Sequence, residues 1–447
     1  MKSEQAYIRD WISSHGISEV ECLVPDLTGN ARGKIIPASK YCNELEMRIP
    51  EAIFTQTVTG EWAEGSNVVD PVEIDMITRP DARTIRKLPW LEEPTAQIIH
   101  DCHYRDGSAV DLAPRSLLKH VLSLYEQLDL VPVIAPELEF YLTKLNPNPD
   151  LPLEQPVGRS GRPHNARQAY SIDGVNQFDP ILDDVYDYCE ALELDVDTLI
   201  HESGAAQMEI NFLHGDVLHL ADQVFMFKRT VREAALRHGI CATFMAKPLQ
   251  GEPGSSMHVH QSLKRVSSGA NAFDNDGQPS ELFLQFIAGQ QTYIPAAMAL
   301  LAPNVNSYRR FSRFESAPIN TEWGFDNRTV GLRVPHADPA NTRVENRIAG
   351  ADVNPYLAFA ASLACGYLGI VEKLTPRDPI DCSAYSLPHI LPRTLEEALR
   401  LLGDCDPLKD LLGERFVAVY TDVKQLEYET FFQVISSWER QHLLLNV

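Results

Sequence analysis

The chain has 447 residues, 44% of them hydrophobic, which is enough for a sizeable core in two domains or one large one and excludes a disordered protein. Its 39 basic and 62 acidic residues leave a net charge of −23, which argues against nucleic acid or an anionic membrane as a partner. No uncharged apolar run of about 18 residues occurs. The opening MKSEQAYIRDW lacks the apolar stretch of a signal peptide, and the 8 cysteines are scattered, so a cytoplasmic protein without disulfides or a zinc ribbon is expected.

SEQAYIRDWISSHG predicts a first amphipathic helix, with Tyr7, Ile8, Trp11 and Ile12 on one stripe and Gly16 as its stop. Two strands follow, EVECLV and GKIIPA, joined by PDLTGNARG, where Pro25, Asp26, Gly29 and Asn30 are turn formers. Composition changes near residues 103–114, and beyond it Leu117, Leu118, Val121, Leu124 and Leu128 recur at helical steps behind Pro114. A boundary is expected there, giving a β-rich domain over 1–108 and a larger α/β domain over 109–447. PELEF follows the apolar run LVPVIA, as a central strand does. Residues 146–167 are too rich in Pro and Gly for regular structure, and long loops of this kind are often functional. MHVHQSL leaves the turn GEPGSS as a strand, and the helices ADQVFMFKRTVREAALRHG and NPYLAFAASLACGYLGIVEKL complete the pattern. No internal repeat is present.

Four stretches carry acid, imidazole, amide or guanidinium groups at a spacing of two: Glu137 and Glu139, Gln207 and Glu209, His258 and His260, and Arg343, Glu345 and Arg347. On a strand that spacing puts the side chains on one face. Two carboxylates about 5 Å apart repel by roughly 3 kcal/mol at an effective dielectric of about 20, so faces of this kind meeting in one cavity call for cations. Glu137, Glu139, Glu202, Glu209, His258 and Glu345 suffice for two ions with three protein ligands each. Oxygen donors with few imidazoles suit Mg²⁺ or Mn²⁺ rather than thiolate-bound zinc, and a pair of such ions is a phosphoryl-transfer device. Arginines cluster at Arg309, Arg310 and Arg313, then at Arg328, Arg333, Arg343 and Arg347, and their forks match phosphate and carboxylate. With no P-loop and no GxGxxG, a nucleotide has to be held by metal ions and arginines.

PELEF, HESGAAQME, ATFMAKP with GSSMHVHQS, NSYRR, NRTVGLRVP and RVENRIAGADVNPY together resemble the glutamine synthetase superfamily, type I, and its γ-glutamyl-amine ligase branch in particular. The resemblance implies an α+β fold: a small N-terminal β-grasp domain and a large catalytic domain with a curved antiparallel sheet, assembled as a dodecamer of two hexameric rings with sites between subunits. It implies Glu139, Glu202 and Glu209 as ligands of a first ion and Glu137, His258 and Glu345 as ligands of a second. Arg310 and Arg347, with Gly254 in the adjoining loop, match positions that bind L-glutamate. Arg328 and Arg333 match positions facing the transferred phosphate, and His260 and Ser262, with Arg333, lie beside the nucleotide.

The departures from the family pattern bear on the acceptor. Ammonia-using members carry an aspartate in the N-terminal domain and a glutamate on a flap, and here those positions fall on Thr55 and Ser316, with Glu315 one residue earlier and able to take the amine proton. Pro253 replaces the asparagine before Gly254, and Tyr385, where some type I members are modified, reads as an ordinary loop tyrosine. The expected activity is ATP-dependent joining of glutamate to an organic amine, a polyamine or a monoamine, through γ-glutamyl phosphate. A glutamine synthetase with a rearranged ammonium site and a non-catalytic ring-forming scaffold are the competing readings.

Overall fold

A computed structural model describes residues 4–63, 72, 74–312 and 317–447. The first helix spans Glu4–Ser14, buries Ile8 and Ile12, and ends before Gly16 as its stripe predicts. The two strands expected next form over Glu19–Pro25 and Ala31–Pro37 and pair antiparallel. They belong to a six-stranded sheet with the order Ala31–Pro37, Glu19–Pro25, Thr95–His103, Asp75–Pro80, Met47–Pro50, and Arg86–Lys87 added beside Thr95–His103.

The second sheet has nine strands. Its path runs Trp323–Phe325, Leu332–Val334, Val344–Asn346, Met257–Arg265, Leu130–Lys144, Gln207–Phe212, Val196–His201, with Gly215–Asp216 and Ile240–Thr243 also on Leu130–Lys144. It is antiparallel as expected except at one end. There the chain leaves Trp323–Phe325 through Asp326, at φ 47°, and loops back so that Leu332–Val334 runs parallel to it. In Leu130–Lys144 the alternation of side chains sends Leu138 and Phe140 into the core, both fully buried, while Glu137 and Glu139 point the other way. The helices Pro114–Glu126, Val217–Arg237, Glu281–Leu301 and Pro355–Val371 supply the rest of that core. No helix among the described residues is long and apolar enough to cross a membrane.

The two sheets are tied by one buried cation. Arg115, on the helix behind Pro114, places Nη2 2.6 Å from Asp81 Oδ2 and 2.8 Å from Asp222 Oδ2, and Nη1 2.5 Å from Asp101 Oδ1. Asp81 and Asp101 belong to the first sheet's surroundings and Asp222 to Val217–Arg237, where the Tyr356 hydroxyl also donates to it at 2.6 Å. Such a hub is costly to break from one side, since the remaining charges stay buried without a partner.

His100, in the strand Thr95–His103, is buried between the Tyr41 hydroxyl at 3.1 Å and Thr78 Oγ1 at 2.9 Å. Burial pulls its pKa down to about 4, below the roughly 6.5 of an unfolded histidine. The folded chain thus stays neutral there while the unfolded chain gains a proton, so stability is lost as pH falls from about 6.5 to about 4, by about 3 kcal/mol in all. Melting curves of the native chain and of His100→Gln between pH 7 and pH 4 are expected to differ, with the variant losing less on acidification; identical acid slopes contradict the assignment.

Candidate active site

Pairing register alone assembles one face of charged groups. Glu137 stands opposite His258, and Glu139 opposite Glu209. His260 stands opposite Glu345, which in turn stands opposite Arg333. Directly opposed residues share a face, so the spacing of two within each strand and the register between strands converge on one wall. Ligand atoms of Glu137, Glu209 and His258 lie within 4.8 Å of one another, as do those of Glu137, His260 and Glu345. Glu139 and Glu202 line the same cavity but fall in neither group. Hard oxygen donors with one imidazole per group fit a divalent cation of the Mg²⁺ or Mn²⁺ type.

Electrostatics separate these carboxyls into two kinds. Burial, reinforced by Glu137, Glu139, Glu202 and Glu345, pushes the Glu209 carboxyl up to about 10. Burial and then the Glu202 charge push Glu139 to about 8, and burial likewise raises Glu202. Burial acts upward on Glu137 too, but hydrogen bonds with His258 and His260 outweigh it and hold that carboxyl well below its usual range. Glu345 is also held low: against burial, Arg347 and the two imidazoles favour its charge. Burial lowers the pKa of His258, which favours its neutral form. The acids with raised pKa values are those that gain from a cation nearby.

Arginine hydrogen bonds fix the geometry around these acids. Arg343 Nε donates to His260 Nδ1 at 3.2 Å. That leaves His260 Nε2 to carry the proton and donate to Glu137 Oε1 at 2.9 Å. Glu345 receives Arg333 Nη1 at 2.9 Å and, on its other oxygen, Arg347 Nη1. Arg310 is buried, with Nη1 3.1 Å from Ser256 Oγ and Nη2 donating to Ile348 O, and burial lowers its pKa to about 10. It packs directly on Gly254: a Cβ there would sit 2.4 Å from Arg310 Cγ, so no larger residue fits. The Nε atoms of Arg310, Arg333 and Arg347 are buried and have no hydrogen-bond partner among the described residues. A guanidinium donor without a partner is suited to an anionic oxygen.

A cavity of about 680 Å³ opens beside these groups, and its lining includes Glu202, Gly254, Arg310, Arg328, Arg333 and Arg347. A second chamber of about 520 Å³ shares Glu137 and Asn211 with it and contains His260, Ser262, Lys264 and Arg343. Apart from Glu345, which lines neither, the expected residues among those described divide between two chambers that share Glu137 and Asn211, with His260 and Ser262 apart from Gly254 and Arg310. Arg328 is exposed on the turn before Leu332–Val334. Glu315 and Ser316 lie outside the described residues. Thr55 is buried in the short helix Glu51–Thr55, its hydroxyl spent on Ala52 O at 2.9 Å.

Three lining residues owe their place in the wall to the fold rather than to the sequence pattern. Tyr385, read as a loop tyrosine, lines the first cavity within the electrostatic reach of Arg347 and Arg310. Tyr170, from the end of the long loop, lines it at φ 63°. Arg343 has its role only through the register that sets it beside His260.

Comparison with known proteins gives a consistent picture. The family described as Glutamine synthetase, catalytic domain, matches residues 111–443. Gamma-glutamylputrescine synthetase PuuA of Escherichia coli (strain K12) is 35% identical over 433 residues, covering 96% of this chain and 92% of the relative. Glutamate--isopropylamine ligase of Pseudomonas sp is 33% identical over 459 residues, covering 98% and 97%. The solved structure titled GmaS/ADP complex-Conformation 1 superposes with a TM-score of 0.83 at 27% identity, covering 98% of this chain and 99% of that one.

Proposed function

This chain belongs to the glutamine synthetase family, and from that premise we propose that it is an ATP-dependent ligase that joins the γ-carboxylate of L-glutamate to an organic amine. The observation that carries the reading is the wall in which carboxylates and imidazoles meet three guanidiniums whose buried Nε–H donors have no partner among the described residues. The similarity to ligases named for putrescine and isopropylamine supports an amine acceptor.

In this reading Glu139, Glu202 and Glu209 hold one Mg²⁺ or Mn²⁺ and Glu137, His258 and Glu345 a second, supplying charge neutralisation for phosphate oxygens. Arg310 and Arg347 bind glutamate beside Gly254, Arg328 and Arg333 face the transferred phosphate, and His260 and Ser262 flank the nucleotide. A γ-carboxylate oxygen of glutamate attacks the γ-phosphorus of ATP, the bond to the β-phosphate oxygen breaks, and ADP leaves. The amine nitrogen then attacks the acyl carbon of γ-glutamyl phosphate, phosphate departs, and the nitrogen gives up a proton, for which Glu315 is the candidate acceptor. Positioning and electrostatics carry most of the acceleration. Such an activity serves amine utilisation, polyamine catabolism included, in the cytoplasm, where ATP is available. Incubation with glutamate, ATP and a panel of amines is expected to give ADP, phosphate and a product of γ-glutamylamide mass; ATP hydrolysis with no amide contradicts the proposal.

The small domain is assigned to residues 1–108 and the catalytic domain to 109–447, and the assembly to twelve chains in two hexameric rings. An apolar C-terminal segment supports assembly: Val434, Ile435, Trp438, Leu444 and Leu445 are all more than half exposed on a single chain, and concentrated apolar surface of this kind marks an interface. Light scattering of the active protein is expected to give about 600 kDa, twelve times the 50.1 kDa chain. A fully active 50 kDa species contradicts it.

A further inference from the structure

Gln207, like Arg343, belongs to the four spaced stretches but has no part in the reaction above. It is buried, and its Oε1 accepts the Gly204 N–H at 3.0 Å, which fixes the amide with its nitrogen turned the other way. Nε2 lies 3.0 Å from Glu139 Oε2, 3.0 Å from Gly254 O and 3.2 Å from Ser255 Oγ. Its two hydrogens therefore serve a carboxylate on the cation side and a carbonyl on the glutamate side. Glu139 Oε2 also accepts Ser256 N–H at 2.9 Å, so that oxygen is occupied by two donors and Oε1 is the atom left to offer a cation. Tyr141, the cross-strand partner of Gln207, donates its hydroxyl to Pro253 O at 2.8 Å, holding the preceding carbonyl of the same loop. Space for this arrangement depends on Gly204, where a Cβ would stand 1.9 Å from Tyr141 Oη and 2.6 Å from Gln207 Oε1.

We infer that Gln207 is a positioning residue that yokes Glu139 to the Gly254 loop, so that cation binding and glutamate binding are coupled through one amide. This rests on the ligase reading. A cation on Glu139 fixes its carboxylate, the carboxylate fixes the amide, and the amide holds the loop in its binding conformation before glutamate arrives. Coupling of this sort is reciprocal between the two ligands.

The test is calorimetric titration of L-glutamate, without ATP, into the full-length protein either metal-free or saturated with Mn²⁺, for the native chain, Gln207→Met and Gln207→Glu. Mn²⁺ is expected to tighten glutamate binding at least about fivefold in the native protein and less than about twofold in Gln207→Met. Mn²⁺ is still expected to raise the melting temperature of that variant, which shows an intact fold and cation site. Gln207→Glu keeps the volume but removes both donors, so it is expected to show the same loss and decides the question if the methionine variant does not fold. Equal coupling in native and variant proteins, or no coupling in a native protein that binds glutamate, overturns the inference alone. A native protein that binds no glutamate at any Mn²⁺ concentration overturns the ligase reading and the inference with it.

Discussion

Glu345→Gln is expected to lower the rate of phosphate release by about a thousandfold or more while leaving the protein folded. The carboxylate is buried, takes Arg333 on one oxygen and Arg347 on the other, and lies with His260 and Glu137 in one of the two candidate ligand groups. Glutamine has nearly the same shape, so packing survives, but the charge that two guanidiniums share, and that a cation shares in the proposed reading, is gone. Removing one partner of a buried charged set typically costs about 3–5 kcal/mol, and about 4 kcal/mol placed on the barrier is about a thousandfold in rate. Thermal melting of the variant checks the fold, and phosphate release at saturating ATP and glutamate checks the chemistry. Near-normal turnover would remove Glu345 from the machinery.

Arg347→Lys is expected to raise the KM for glutamate by at least about tenfold and to change the KM for ATP by less than about threefold. One terminal nitrogen of Arg347 is committed to Glu345, while its buried Nε lacks a partner among the described residues. In the proposed reading the planar fork serves a fixed protein acceptor and a second, incoming one together. Lysine keeps the positive charge but is a single point donor on a flexible stem, and it cannot do both. The split between the two KM values is the informative readout, because general loosening of the site would raise both. A defect confined to ATP would show that Arg347 faces the nucleotide instead.

Much of this site is legible in the sequence because strand chemistry is local. Glu137 with Glu139, and His258 with His260, need only the two-residue repeat of a strand to reveal a shared face. The helix behind Pro114 likewise announces itself by its period and by the proline in its first turn, and Val217–Arg237 begins four residues before the stretch that the sequence marks as helical. Register between strands is another matter. Nothing near Arg343 tells that Leu130–Lys144 and Val344–Asn346 flank Met257–Arg265 and so bring its guanidinium onto His260. Gln207 was visible as the companion of Glu209, yet its tie to Gly254 depends on a loop 47 residues away in the chain. Tyr385 reads as a loop residue but sits in the one-turn helix Ala384–Ser386, and its place in the cavity wall comes from tertiary packing alone. The parallel pair at the sheet's end turns on the left-handed backbone of Asp326, a residue whose type only permits that conformation without requiring it.

The acceptor is the centre of the account. An ammonium ion has no apolar surface and depends on nearby anions, whereas Thr55 offers no charge and its hydroxyl already donates to Ala52. An organic amine instead gains roughly 0.8 kcal/mol per buried methylene, so three or four methylenes contribute roughly 2 to 3 kcal/mol. The most direct measurement is kcat/KM for ammonium against kcat/KM for each member of a panel of diamines, polyamines and arylalkyl monoamines, with glutamate and ATP saturating. The best amine is expected to exceed ammonium by at least about tenfold, a conservative part of that burial energy. Ammonium as the best acceptor across the panel would contradict the assignment and make the chain a glutamine synthetase.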